Sequence, residues 1–65
     1  MKRTTYGVIS AHSRNGHLDI VTTEHPDLGQ ALGAYRLALY YAALSAEVCD
    51  PDDRLVCQFP EEVAA

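Results

Sequence analysis

The sequence predicts an α+β fold in one small domain: a ββαβ unit whose three-stranded antiparallel sheet has the order 2-1-3, with one long helix packed on one face. Three observations predict it. Asn15-Gly16 separates two β-rich runs, residues 4–12 and 17–23. A helical apolar period extends from Leu28 to about Val48. A third β-rich run, residues 54–59, follows the turn signal Asp50-Pro51-Asp52-Asp53.

The first two runs are rich in β-branched and aromatic residues. Asn-Gly suits a type I′ turn, whose two central residues need positive φ. With Asn15-Gly16 as the loop, Arg14 faces His17, His12 faces Asp19 and Ala11 faces Ile20. The face holding Ile9, Ala11, Leu18 and Ile20 is the more apolar and is the expected core face. The other face, with Tyr6, Val8, Ser10, His12, Asp19 and Val21, is mixed and expected to be wet.

Pro26 fits the first turn of a helix, and Asp27 followed by Gln30 mimics a capping box. Leu28, Leu32, Tyr35 and Leu39 share one stripe; Leu37, Tyr41, Leu44 and Val48 share another. Together they exceed the usual apolar arc. A membrane span with Gly29 and Gly33 as a GxxxG pair is opposed by Arg36, which would sit near the bilayer centre at a cost of roughly 2.5–3.5 kcal/mol. The better account is a helix packed on the sheet along one stripe. The second is then covered by another chain, with the Tyr35, Tyr40 and Tyr41 hydroxyls at its edge. In residues 54–59, Leu55, Cys57 and Phe59 point one way, and Pro60 ends the strand. A right-handed crossover lays this strand beside the first.

A chain of 65 residues makes one domain, spanning 1–65 with loose ends at 1–3 and 60–65. It buries only about 60% of its unfolded surface, so its core is small. An apolar share of 48% argues against wholesale disorder. A pI near 5.0 argues against general binding of a phosphate backbone. Cys49 and Cys57 are too few for a disulfide scaffold. They read as reduced, mostly buried thiols, with a bridge between them left open. The segment MKRTTYGV lacks the apolar stretch of a signal peptide.

The charge is sorted by position. Net charge is +3 over residues 1–18, −2 over 19–46 and −5 over 47–65, which accounts for the overall −4. Lys2, Arg3 and Arg14 lie at the front; Glu47, Asp50, Asp52, Asp53, Glu61 and Glu62 lie at the rear. Such an acidic balance suits a basic partner. The bland account is a solvated face that keeps a small protein soluble. The sharper one is a partner-binding patch of Glu47, Asp50, Asp52 and Asp53, with Glu24 and Asp27 as outliers, whose carboxylates imitate phosphates. Glu47 and Asp50 fall at the predicted helix C-terminus, where the macrodipole disfavours negative charge. Local stability therefore does not explain them.

No arrangement for chemistry rivals this. His12, His17 and His25 match no compact zinc pattern, and no cofactor or metal site is expected. A Cys57–His12 nucleophile pair lacks an oxyanion hole and a pocket, so no catalytic residue is expected. The acids of 50–53 lack the glycine and distal Glu of a calcium loop.

In overall character the chain resembles the small acidic proteins that phages use against their hosts, anti-CRISPR proteins above all. The features that carry the resemblance are a short reading frame beginning with Met, a hairpin-plus-helix layout and the acidic stretch AEVCDPDD. The resemblance implies a non-enzymatic inhibitor in the cytoplasm of a host bacterial cell. It would bind the basic nucleic-acid-binding surface of a Cas protein or effector complex and block target DNA as a DNA mimic. It would touch neither nucleic acid nor membrane. The chain also resembles small dimerising antitoxin-like or regulatory modules, through its broad apolar helix and open strand edges. Monomer and homodimer both stay open.

Overall fold

The computed structural model describes residues 4–61. Lys2, Arg3 and Glu62 lie outside the described residues, as do 1–3 and 62–65 of the expected loose ends.

Two long strands, β1 (Tyr6–Arg14) and β2 (His17–His25), form the expected hairpin. Asn15 and Gly16 have φ of 50° and 81°, the positive values that a type I′ turn demands. The register is the expected one: Arg14 pairs with His17, His12 with Asp19 and Ala11 with Ile20.

The helix α1 spans Leu28–Tyr40. Asp27 is its N-cap, in extended conformation, and its Oδ1 accepts the Gln30 amide at 2.8 Å. Pro26 therefore precedes the cap rather than occupying the first turn. The helix is eight residues shorter than the span expected to reach Val48. Ala42 turns left-handed at φ 61°. Its amide bonds the Leu39 carbonyl at 3.0 Å, and the Ala43 amide bonds Ala38 at 3.1 Å. That pair of bonds is a Schellman motif, with alanine where glycine is usual.

Beyond it the Leu44 amide bonds the Ala11 carbonyl at 2.7 Å and draws the chain back to the sheet. Residues Ser45–Cys49 form strand β3, and Leu55–Phe59 form β4. The sheet is antiparallel with four strands in the order β2-β1-β3-β4. This corrects the three-stranded 2-1-3 expectation. The place beside β1 is filled, but by Ser45–Cys49, with Ala11 paired to Ser45 and Gly7 to Cys49. The run at 54–59 is a strand as expected, yet it pairs with β3, Val48 facing Cys57.

The core lies between α1 and one sheet face. Val8, Ala31 and Val48 are its buried centre, with Tyr6, Leu32, Ala34, Tyr35 and Cys57 packed around them. Of the first helix stripe, Leu32 and Tyr35 pack against this core while Leu28 is exposed; of the second, Leu37, Tyr41 and Leu44 are exposed, and Val48 lies in the core from β3 rather than from the helix. The core face of the hairpin is thus the mixed one. Leu18 and Ile20, expected inside, are 63% and 58% exposed. Ala31 of the helix packs on Val8, and the buried Ser10 hydroxyl is satisfied by His12 Nε2 at 3.0 Å, so this face tolerates burial despite its polar residues.

Candidate protein interface

The register decides where the acids go. Gly7 of β1 pairs with Glu24 on one side and Cys49 on the other. Strand spacing of about 4.8 Å puts those two backbones roughly 10 Å apart. Asp27 follows β2 and Asp50 follows β3, so both leave the sheet at this same end. Glu24, Asp27, Asp50, Asp52 and Asp53, from distant parts of the sequence, share one end of the molecule. Arg54 is the one lysine or arginine among the described residues of that end, where His25 also lies. At the opposite end Arg14 sits 3.8 Å from Asp19, both well exposed.

Glu47 does not join them. It lies within β3, half-buried, between Ile9 and Gln58 on the sheet face away from α1. The helix-dipole argument also falls. α1 ends near Tyr41, so neither Glu47 nor Asp50 lies at a helix C-terminus. Asp27 stands at the N-terminus, where negative charge is favoured.

Asp50 has a building role. Its Oδ1 accepts the amides of Asp52 and Arg54, each at 2.9 Å. Its backbone amide bonds the Arg54 carbonyl, and its carbonyl takes the Asp53 amide, both at 2.9 Å. These bonds close the β3–β4 turn and hold Asp53 at φ 64°. The exposed carboxylates of Asp52 and Asp53 are presented from that fixed turn. Glu24 accepts the Thr5 hydroxyl at 3.1 Å.

The remaining titratable groups are dispersed. His17 is exposed at the hairpin turn, and His25 Nε2 is bonded to Thr23 Oγ1 at 2.8 Å. No group of three or more His, Cys, Asp or Glu among the described residues is arranged so that it could hold a metal ion. Cys57 and His12 are separated by a strand, because β3 lies between β4 and β1. Cys49 and Cys57 are both thiols, not bridged. Burial pushes the Cys57 thiol above its ordinary value, which favours an inert, protonated sulfur. Burial also raises Tyr35, with the charges of Cys57 and Glu61 adding to it. No helix among the described residues is long and apolar enough to cross a membrane.

One surface escaped the sequence reading: the open sheet face, where Ile9, Ala11, Ile20, Glu47 and Gln58 line a shallow groove of about 300 Å³. A second surface lies where the sequence placed an uncovered helix stripe, at the end of α1, with Leu37, Tyr40, Tyr41 and Leu44 exposed. Tyr40 and Tyr41 meet edge to face, ring centroids 5.3 Å apart. The signal for the first was available: Leu18 and Ile20 are apolar on a face that a single helix cannot also cover.

No protein-family model matches the chain, no curated protein matches it significantly, and no solved structure does so.

Proposed function

We propose that the chain is a binding protein whose acidic end engages the basic, nucleic-acid-binding surface of another protein. It acts in the manner of anti-CRISPR inhibitors that stand in for DNA on a Cas protein or effector complex. The observation that carries this reading is the convergence of Glu24, Asp27, Asp52 and Asp53 at one end of the sheet from two separate stretches of the chain, 24–27 and 52–53. Carboxylates in fixed positions can take the Lys and Arg contacts that otherwise grip phosphates. The test is a target-DNA binding assay on a basic effector complex, with the wild-type chain and an Asp52→Lys/Asp53→Lys variant. The wild type lowers DNA binding in a salt-sensitive way, and the variant loses the effect by about tenfold or more. Equal inhibition by both proteins sinks the reading.

A dimerising module is the second reading, favoured by the 81% and 66% exposure of Tyr40 and Tyr41 beside Leu37 and Leu44. It requires a mass that rises with concentration in light scattering. A constant monomer mass removes it.

A further inference from the structure

We propose that the open face of the sheet docks a protein segment that presents apolar side chains around a lysine or arginine. This goes beyond the acidic-end reading and does not depend on it, since Asp52 and Asp53 take no part.

The face is bare because α1 packs on the other side of the sheet. Antiparallel sheets commonly leave one face to water, and that face is then polar. This one is not. Leu18 and Ile20 are 63% and 58% exposed, and Ile9 and Ala11 stand beside them on β1. The groove there is shallow and open, the shape for a side chain or a short segment rather than an enclosed small molecule.

The charge in the groove selects the occupant. Glu47 is half-buried between Ile9 and Gln58, and neither neighbour is a base. Among the described residues no lysine or arginine shares this face, while a second acid, Glu24, stands at its edge. A purely apolar partner would strip water from the Glu47 carboxylate and give nothing in return. A second copy stacked face to face about a twofold axis would bring another Glu47 rather than a base. A cation flanked by apolar groups matches both features: it pairs with Glu47 while its neighbours cover Ile9, Leu18 and Ile20.

The experiment titrates a short synthetic peptide of alternating leucine and lysine into the isotope-labelled full chain at physiological ionic strength, followed by amide chemical shifts. Saturable shifts are expected at Ile9, Ala11, Ile20, Glu47 and Gln58. Glu47→Gln and Ile20→Thr each weaken binding by about tenfold, whereas Asp52→Asn/Asp53→Asn changes it by less than about twofold. A leucine–glutamate peptide of the same length does not bind. Ile20 is exposed, so its variant keeps the proposal testable even if Glu47→Gln disturbs the sheet. Shifts centred on residues 50–54, equal weakening by the turn variant, or no saturable shift would each overturn the proposal. So would concentration-dependent shifts on this face without peptide, which mark a second copy as the occupant.

Discussion

The amide of Ala43 bonds the carbonyl of Ala38 at 3.1 Å, and this bond ends the helix. It forms because Ala42 between them is left-handed at φ 61°. Alanine pays about 1 kcal/mol or more there, because its Cβ crowds the backbone. Glycine carries no such penalty. Ala42→Gly is therefore expected to stabilise the fold by roughly 0.5–1 kcal/mol, measured by urea unfolding. A loss of stability would mean that the turn is not left-handed in solution.

The same alanine explains why the helix end was not legible. Tyr40-Tyr41-Ala42-Ala43-Leu44 continues the apolar pattern with no glycine or proline to break it. Ser45–Cys49 is only five residues long, and its Ala-Glu-Val centre suits a helix as well as a strand. Only pairing with β1 decides, burying Ala46 and Val48 on one side and leaving Glu47 on the other. The register of the first hairpin was legible to the residue because Asn15-Gly16 fixes it locally, although the strands run to Arg14 and His25 rather than to 12 and 23. The Asp27 cap was legible for the same reason. The acidic end was legible as a list of acids but not as a place. Glu24 and Asp50 meet there only because both flank the start of β1.

Which hairpin face is the core can be tested by two substitutions. Val48 is fully buried against Val8 and Ala31, so Val48→Ala should cost about 2 kcal/mol through lost burial and a cavity. Ile20→Thr removes apolar surface from an exposed site and should stay within about 0.5 kcal/mol. Equilibrium denaturation of both variants reads the difference. The reverse ranking would place the helix on the wrong face.

Asp50 and Asp52 are neighbours in charge but not in duty. Asp50→Ala leaves the amides of Asp52 and Arg54 without their carboxylate and should destabilise the fold by about 1–2 kcal/mol. Asp52→Ala, exposed on the same turn, should change stability by no more than about 0.5 kcal/mol. In the inhibition assay the expectation is inverted, with Asp52 the more sensitive site. Equal destabilisation by the two variants would remove Asp50 from its role as the closing group of the turn.

Alkaline pH should weaken the fold through Tyr35 and Cys57. Both are raised, Tyr35 chiefly by burial with help from Cys57 and Glu61, and Cys57 by burial. The folded state therefore keeps both groups protonated where an unfolded chain has begun to release them, near the ordinary values of 9.0 for the thiol and 10.0 for the phenol. Their contribution is intact below the thiol's ordinary value and is lost as pH climbs through the folded-state values. The two effects reinforce each other, because ionising Cys57 adds a negative charge that opposes ionising Tyr35. The urea midpoint of the wild type should thus fall above about pH 9, and that fall should be shallower in Tyr35→Phe/Cys57→Ala. Identical pH profiles for the two proteins would show that neither group is held in the protonated form by the fold.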